Sequence, residues 1–423
     1  MLPRLIKQSD RTKAKKTDVN RFRSLGLSLL VIATLAIVFL AGFGAHWLTS
    51  RAANGAPSSP LTELTLSGDP EPTEFGVFWE AWQVLQRDFF GDQPADQQRT
   101  YAAIQGLTQS YDDPYTYFVE PQPRQREKEN LSGEFGGIGA WVSTDDQGNI
   151  VLKPMPGRAA EAAGILEGDI LVAVDGTVIT SELSQDQVLD MVRGPIGEPV
   201  ELQLRRGDLA DLITLSVIRE RVETPSVEWR VLEEAPTVGY IAIRQFTERT
   251  ADELDSAIED LETKNVSFLV LDMRHNGGGL LQASIDVASR FLNDGVVLYE
   301  RKNDGSRETY RVGSARRAPN WPTVVLVDGA TASAAEIVAG ALQDRGRAQL
   351  VGEKTYGKGS VQLIRDLSDG SSVHVTVARW QTPNGHEING VGLSPDLESI
   401  HQDDIDAPLA AAIRLVTGNV AQN

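Results

Sequence analysis

From Val222 onward, short apolar runs alternate with amphipathic stretches of helical period. The runs are short and rich in β-branched residues, so they predict buried strands. Strands that alternate with helices form a mainly parallel sheet covered by helices. We predict the strands VGYIAI, SFLVLDM, TVVLVD and AQLVG, and the helices TADELDSAIEDLE, LLQASIDVASRFL and SAAEIVAGALQD. The β-like stretches SVQLIRDL and SSVHVTVARW and a last helix, APLAAAIRLV, complete an α/β domain over residues 222–423.

The residues before this domain have two other patterns. Residues 131–221 contain short apolar runs broken by glycine and one helix-like stretch, SQDQVLDMVRG, which predicts a small inserted β-rich domain. Residues 73–130 contain two amphipathic stretches, FWEAWQVLQRDFF and QQRTYAAIQGLTQSY, which predict an N-terminal helical region. Charged and polar residues at 119–130 indicate a domain boundary. The overall class is therefore α+β, with an α/β core.

The N-terminus carries a membrane signal. Residues 25–48, LGLSLLVIATLAIVFLAGFGAHWL, hold no charged side chain, and about 20 apolar residues span a bilayer. The basic segment 1–24 has a net charge of +6, which favours a cytoplasmic N-terminus. We expect a single-pass plasma-membrane anchor and a linker at 49–72, with the rest of the chain on the extracytoplasmic (periplasmic or outer) side. The alternative is secretion after signal cleavage, but a signal peptide has an apolar core of about 7–15 residues.

Charge and cysteine content exclude several function classes. The net charge is −19, so the chain after the basic segment carries about −25. Such an acidic body repels nucleic acid backbones, and we expect no nucleic acid partner. The absence of cysteine excludes disulfides, thiolate metal sites and cysteine nucleophiles. The sequence also lacks H-E-x-x-H, the pattern of a zinc protease.

GEKTYGKGS, residues 352–360, is close to a phosphate-binding loop, whose pattern is G-x-x-x-x-G-K-[ST]. Gly359 replaces the Ser or Thr that would hold magnesium. Such a loop must also open a helix, because helix amides bind the phosphate. The next residues, SVQLIRDL, alternate and predict a strand, so Lys358 needs another explanation.

Ser333 lies where the predicted strand TVVLVD turns into a helix, and backbone N–H groups at such a turn could stabilise an oxyanion. A structural role is the alternative, because Ser333-x-x-Glu336 is also a capping box. A nucleophilic serine requires a base. None of the histidines, at positions 46, 275, 374, 386 and 401, has a recognisable catalytic context. Burial lowers the pKa of lysine, so Lys358, flanked by two glycines, is our hypothesis for the base that activates Ser333.

Four motifs occur in order: DMRHNGGGL, DGATASAAEIVAGALQDRGRA, GEKTYGKGSVQ and TPNGHEINGVGLSPD. Together they resemble the carboxyl-terminal processing peptidases, the tail-specific serine proteases of the S41 type. GGIGAWV, PGRAAEAAGILEGDILVAVDG and RGPIGEPVELQLRR resemble the PDZ domain of that family, and DDPYTYF resembles a segment that precedes it. The resemblance covers residues 73–400 and implies a crotonase/ClpP-like peptidase core with an inserted PDZ domain.

The resemblance also implies roles for individual residues. The nucleophile of the family corresponds to Ser333, and its general base corresponds to Lys358, 25 positions later. Gln362 corresponds to the glutamine that orients this lysine. The oxyanion donors correspond to the N–H groups of Gly278 and Ala334. No metal or organic cofactor is implied.

Other features bear on how far the roles transfer. Gly277 replaces the proline that the family usually has, which leaves the register of the oxyanion donor open. Glu336 is interpreted as a capping partner rather than a catalytic group. A PDZ domain implies capture of the carboxyl terminus of unfolded or tail-exposed protein substrates, for which we predict the amides of Gly137, Ile138 and Gly139. A homo-oligomer or an adaptor protein remains an open possibility.

Two alternatives come from other classes. The first is an anchored PDZ adaptor with an inactive peptidase domain, which would bind tails without cleaving them. The presence of both Ser333 and Lys358 argues against it. The second is an acyl-processing enzyme of the crotonase type, which lacks a PDZ domain and these motifs.

Overall fold

The computed structural model describes residues 75–207, 211–314, 318–401 and 405–418. The predicted basic segment, anchor and linker lie outside these ranges. Within them, no helix has the length and apolar character needed to cross a bilayer. The chain divides into two units, residues 1–93 and 94–423. The first contributes one described helix, α1 (Phe75–Asp88), which has no buried side chain and clusters the aromatic residues Phe75, Phe78, Trp79 and Trp82.

The second unit begins with helix α2 (Asp96–Gln109), strand β1 (Tyr117–Val119) and helix α3 (Pro121–Ser132). Helix α3 occupies the stretch that its charged composition predicts as a boundary. Pro121 lies in its first turn, where a missing N–H is tolerated, and Gly133 ends it with a left-handed φ of 75°. Arg124 of this helix is buried. Its tertiary contacts help to explain why a stretch whose charge predicts a domain boundary forms a helix.

The β-rich insert follows. Its elements are β2 (Glu134–Gly137), β3 (Ala140–Thr144), β4 (Ile150–Pro154), α4 (Ala159–Ala162), β5 (Asp169–Val174), β6 (Thr177–Val178), α5 (Gln185–Val192), β7 (Pro199–Arg205), β8 (Ile213–Ile218) and β9 (Glu220–Glu223). A six-stranded sheet has the order β3-β4-β5-β7-β8, with β6 beside β5. Strand β2 pairs antiparallel with β9, so the chain enters and leaves the insert side by side. Leu152, Val188 and Leu202 belong to its own buried core.

The α/β domain contains the remaining elements. They are β10 (Val227–Leu232), β11 (Ala235–Ile243), α6 (Thr250–Glu262), β12 (Phe268–Asp272), α7 (Leu281–Phe291), β13 (Val296–Lys302), β14 (Arg307–Arg311), β15 (Thr323–Val327), α8 (Ala334–Asp344), β16 (Ala348–Gly352), β17 (Ser360–Asp366), β18 (Ser372–Gln381), β19 (Leu397–Glu398) and α9 (Ala407–Gly418). The main sheet has the order β10-β11-β12-β15-β16-β19. Only the pair β10–β11 is antiparallel, which confirms the predicted mainly parallel sheet.

Alternation along the strands decides which face each side chain covers. Leu269 and Leu271 of β12 pack in the core with helices α6, α7 and α8, whereas Val270 faces the core shared with α9. Both faces of the sheet are therefore covered. Helix α8 is buried at nine of its residues, from Ala334 to Leu342, so its position is fixed along most of its length.

A second, five-stranded sheet has the order β1-β18-β13-β14, and β17 also pairs with β18. Strand β17 directly follows Lys358, which confirms that GEKTYGKGS is not a phosphate loop opening a helix. The pairing of β1 with β18 places Tyr117 opposite His374. A segment from before the insert thus adds a strand to the α/β domain, on the opposite side of β18 from β17.

Candidate active site

Ser333 lies at the turn between β15 and α8, as the sequence predicts. It is the N-cap residue of α8 and has a φ of 56° and a ψ of −117°, an uncommon conformation for a residue other than glycine. The turn is tied to the end of β12: Ala332 N–H donates to the Asn276 carbonyl at 2.9 Å, and Thr331 Oγ1 donates to the Met273 carbonyl at 2.9 Å. Strained serines that project from strand-to-helix turns are typical of nucleophiles.

Glu336, one turn into α8, is completely buried and joins the segments that carry the candidate residues Ser333 and Lys358. Its Oε2 accepts the N–H of Ser333 at 2.9 Å and the N–H of Lys358 at 2.9 Å. Its Oε1 accepts the N–H of Gly357 at 2.8 Å and the Thr355 hydroxyl at 2.6 Å. The carboxylate is thus the capping partner expected for Ser333, and it also fixes the backbone of the lysine loop.

Lys358 is only partly exposed, and burial lowers the pKa of its amine below the ordinary value of 10.5. The charge of Glu127 opposes this shift. The amine lies 5.1 Å from the centre of the Tyr115 ring, and the backbone carbonyl of Lys358 accepts the Trp380 indole N–H at 3.0 Å. Within the described ranges, no carboxylate lies at ion-pair distance from the amine. A lysine of this kind can exist as the neutral amine that a general base requires.

Ser333 and Lys358 line one cavity of about 250 Å³. Gly277, Gly279, Ala334 and Gln362 also line it, and apolar side chains complete the wall: Leu131, Leu280, Leu281, Ile337, Val361, Ile364 and Trp380. The candidate nucleophile, the candidate base and the Ala334 backbone therefore share one small cavity of mixed polar and apolar lining, an arrangement suited to acyl transfer.

The predicted contact between Gln362 and the lysine amine is not formed. Gln362 Nε2 instead donates to the Ser360 hydroxyl at 2.7 Å. A β-bulge between Val361 and Gln362 interrupts the pairing of β17 with β18. A bulge places consecutive side chains on one face, which explains why both residues line the cavity.

The two predicted oxyanion donors differ in their surroundings. No acceptor for the Ala334 N–H occurs among the described residues, and Ala334 lines the cavity. The N–H of Gly278 instead donates to Asn276 Oδ1 at 2.8 Å, and Asn276 Nδ2 donates to the Ile243 carbonyl at 2.8 Å. In this conformation the Gly278 N–H does not face a substrate oxygen.

One wall of the cavity consists of residues that sequence reasoning missed. Glu127 of α3 and His374 of β18 line the cavity, and their side chains lie 3.1 Å apart. Arg124 donates to the same Glu127 carboxylate at 2.9 Å. No periodicity or motif signals this cluster, because its members come from elements far apart in the chain. In the parts that the structure covers, no group of three His, Cys, Asp or Glu side chains could hold a metal ion.

The predicted carboxylate loop lies between β2 and β3. Gly137 belongs to β2, while the carbonyls of Ile138 and Gly139 accept the N–H groups of Ala160 and Met155. For the N–H groups of Ile138 and Gly139, the described residues offer no acceptor. Strand β3, which follows the loop, is an edge strand of its sheet.

Two charged side chains, Arg158 and Glu220, lie beside this loop, and a Glu220 carboxylate oxygen would lie 2.8 Å from a Cβ on Gly139. A Cβ on Gly139 would lie 2.5 Å from the Arg158 Cβ, so the Arg158 side chain begins next to the loop backbone. Arg158 is close to Glu220, at 3.8 Å, but this pair is only partly buried. Gln185 of α5 donates to the Val142 carbonyl at 3.0 Å, which joins that helix to the edge strand β3.

Comparisons with known proteins agree with the geometry. The model of peptidase family S41 matches residues 237–399, and a PDZ domain model matches residues 150–206. The chain is 33% identical to carboxyl-terminal-processing peptidase 2, chloroplastic, of Arabidopsis thaliana, with 93% of this chain and 79% of that protein covered. It is 34% identical to the carboxyl-terminal-processing protease of Synechocystis, with 80% and 82% covered.

Among solved structures, a photosystem II D1 C-terminal processing protease is 32% identical, with 82% of this chain and 98% of that chain covered and a TM-score of 0.46. The sequence matches define a serine peptidase, a hydrolase that acts on proteins. The chain belongs to the carboxyl-terminal processing proteases of peptidase family S41 and carries a PDZ domain.

Proposed function

We propose that this chain is a membrane-anchored endopeptidase that cleaves proteins near their carboxyl tails, with Ser333 as nucleophile and Lys358 as general base. The observation that carries this proposal is the shared cavity. Both side chains line it, burial lowers the pKa of the lysine amine, and Glu336 fixes both backbones through one oxygen.

Acylation begins when Ser333 Oγ attacks the carbonyl carbon of the scissile peptide and the neutral Lys358 amine accepts the hydroxyl proton. The tetrahedral intermediate collapses, the C–N bond breaks, and the lysine ammonium gives its proton to the leaving amine. A water then attacks the ester, Lys358 accepts a proton from it, and returning that proton to Ser333 Oγ releases the acid. One side chain, Lys358, thus accepts and returns the proton in both acylation and deacylation.

The developing oxyanion requires backbone donors directed into the cavity. Ala334 N–H is the first, and its lack of another acceptor in the described parts supports this role. Gly278 N–H is the second, provided that substrate binding releases it from Asn276. Gln362 would orient the lysine after a similar exchange, since it now donates to Ser360. Loss of one oxyanion donor typically costs ~2.7–4 kcal/mol of transition-state stabilisation.

The PDZ domain would capture the substrate tail. An extended tail adds to the edge strand β3, and its carboxylate binds the N–H groups of Ile138 and Gly139, which have no acceptor in the described parts. Arg158, whose side chain begins beside Gly139, would supply positive charge near the bound carboxylate, while Glu220 at the same loop opposes it. Gly137 belongs to strand β2, which pairs with β9, so it would shape the carboxylate loop rather than donate to the carboxylate.

We infer the anchor from residues 25–48 and the preceding basic segment. It would hold the catalytic body at the extracytoplasmic face of the plasma membrane. A protease that reaches the outer face of an intact plasma membrane should then digest residues 51–423 while the basic segment stays protected. Protection of the body would reverse this topology, and release of a soluble body lacking the anchor would favour signal cleavage.

The deciding experiment uses the full chain in detergent and an unstructured protein with an apolar carboxyl tail. Wild type, Ser333→Ala and Lys358→Ala are compared, and products are mapped by mass spectrometry. We expect cleavage near the tail in the wild type and none in either variant, while tail binding persists. Lys354→Ala, an exposed lysine of the same loop, is the matched control and should cleave normally. Normal cleavage by Lys358→Ala would refute the base assignment, and binding without cleavage by the wild type would favour the adaptor.

A further inference from the structure

The Ser333 cavity contains a charged wall that the proposed mechanism does not use. Glu127 of α3 and His374 of β18 both line the cavity. His374 is almost completely buried, and its Nε2 lies 3.1 Å from Glu127 Oε2. Arg124, also buried, donates to the same carboxylate oxygen at 2.9 Å. Two partners therefore hold this carboxylate at the wall of the cavity that Ser333 and Lys358 also line.

The other charged groups near this wall are already paired. Arg124 also donates to Asp366 at 2.8 Å, and Lys128 lies 2.9 Å from the second oxygen of Asp366. The ring of Tyr117 stacks on His374 with 4.5 Å between centroids. On the opposite side Tyr115 faces the lysine, and burial raises its pKa to about 12, so it remains neutral. Glu127 lines the same cavity as Lys358, and its charge acts on the lysine amine.

The charge state of Glu127 follows from its partners. Burial raises the pKa of its carboxyl, but the hydrogen bonds from His374 and Arg124 outweigh burial and hold the pKa below its usual range. Glu127 is therefore an anion wherever a neutral lysine can function. An anion favours the ammonium form of Lys358, whereas burial favours the amine. Lys358 is more than half buried, so solvent screens this interaction less than it would at the surface.

We propose that Glu127 is a positioning residue for the general base: its carboxylate, held by Arg124 and His374 on the cavity wall, sets the pH at which Lys358 gives up its proton. The inference rests on the Ser333 and Lys358 roles proposed above. Its benefit is chemical, because a lysine made neutral by burial alone is a weaker base. A facing carboxylate restores basicity and stabilises the ammonium formed while Ser333 is acylated.

The test is the pH dependence of kcat/KM, which reports the free enzyme, for cleavage of a quenched fluorescent peptide by the full chain in detergent. The variants are Glu127→Gln, Glu127→Leu and the charge-conserving Glu127→Asp. Glu129→Gln is the matched control, because Glu129 lies on the same helix but does not line the Ser333 cavity. Thermal unfolding and tail-peptide binding are measured for each variant to establish that it is folded.

Removal of the negative charge should lower the pKa of Lys358. We expect the acidic limb of the profile to move to lower pH by roughly 0.5–1 in both neutral variants, since a nearby charge typically shifts a pKa by about one or more and Arg124 offsets part of it. At a fixed pH on that limb, this corresponds to a rate roughly 3- to 10-fold higher relative to each variant's own plateau. Glu127→Asp and Glu129→Gln should keep the wild-type limb.

The outcomes separate this inference from the proposed function. An unchanged limb in either folded neutral variant overturns the role of Glu127 and leaves the peptidase assignment intact. A lower plateau with an unchanged limb means that Glu127 is only structural, which also overturns it. Normal cleavage by Lys358→Ala would instead refute the underlying base assignment. Two neutral side chains are used so that the test still stands if one of the two variants proves unstable.

Discussion

The Glu336 carboxylate accepts the backbone N–H of Lys358 at 2.9 Å through the same oxygen that accepts the N–H of Ser333. The candidate nucleophile and the candidate base lie 25 positions apart in the chain. One buried carboxylate therefore fixes both backbones, although it need not take part in proton transfer.

Glu336→Gln should reduce both stability and activity. An amide has one acceptor oxygen, so its NH₂ group would meet N–H donors that Glu336 now accepts. Each buried donor left without a partner typically costs ~1–3 kcal/mol. We expect a lower midpoint of thermal unfolding and a loss of kcat of roughly tenfold or more, since small misplacements of catalytic groups have effects of this size. Glu353→Gln, at an exposed position of the loop that leads to Lys358, should leave both the unfolding midpoint and kcat unchanged. Wild-type kinetics in Glu336→Gln would show that this carboxylate does not position the pair.

Gly278→Ala should lower activity strongly, whereas Gly277→Ala should keep activity near the wild-type level. A Cβ on Gly278 would lie 2.8 Å from the Ser333 Cβ, and its φ of 107° disfavours any other residue. A Cβ on Gly277 would meet no atom within 4 Å. We expect a loss of roughly a hundredfold or more in kcat/KM for the first variant, comparable to losing an oxyanion donor, measured with the same peptide substrate. Equal activity of the two variants would contradict a close approach of Gly278 to the nucleophile.

Activity should rise with pH through the pKa of Lys358. Burial places this pKa below the ordinary 10.5, and only the neutral amine accepts a proton. Below that pKa, kcat/KM should increase about tenfold per pH unit. Lys358→Arg should be inactive at every pH, because a guanidinium stays protonated.

The same lysine should affect stability with a predictable sign. Its pKa is lower in the folded protein than in the unfolded chain, so between the two values the unfolded chain binds more protons and stability increases with pH. Lys358→Met removes this dependence and should raise the unfolding midpoint at pH 7, with a gain that shrinks towards pH 10.5. If the gain in unfolding midpoint did not depend on pH, the pKa of Lys358 would not be lowered in the folded protein. Thermal unfolding monitored by circular dichroism measures this.

Arg158→Gln should weaken tail binding to the PDZ domain. Arg158 lies against Gly139 of the predicted carboxylate loop. An exposed ion pair typically adds ~0.2–1 kcal/mol, so we expect the Kd of a labelled tail peptide to rise by up to roughly fivefold in fluorescence polarisation. Arg205→Gln, an exposed arginine on β7, is the control. With a carboxyl-amidated peptide the difference between Arg158→Gln and wild type should vanish, and an equal loss for both peptides would argue against contact with the carboxylate.

Much of the fold follows from local pattern. The buried runs at β11, β12, β15 and β16 and the amphipathic helices between them are predicted because apolar spacing reflects secondary structure directly. Helix α3 lies in a stretch that the charge pattern predicts only as a domain boundary, because Arg124 is buried and Glu127 half-buried there through partners on β17 and β18. Charge patterns describe the surface of an isolated segment and carry no information about distant partners.

The sequence by itself determined the family, the order of its motifs and the choice of Ser333 and Lys358, because these depend on residue identity at fixed spacing. The tertiary structure alone decided their surroundings. It placed Glu336 between both backbones, directed Gly278 N–H to Asn276, and brought Glu127 beside His374 on the cavity wall. Such contacts join residues up to 247 positions apart. Long-range packing and burial, which no local pattern encodes, therefore set the pKa of the candidate base.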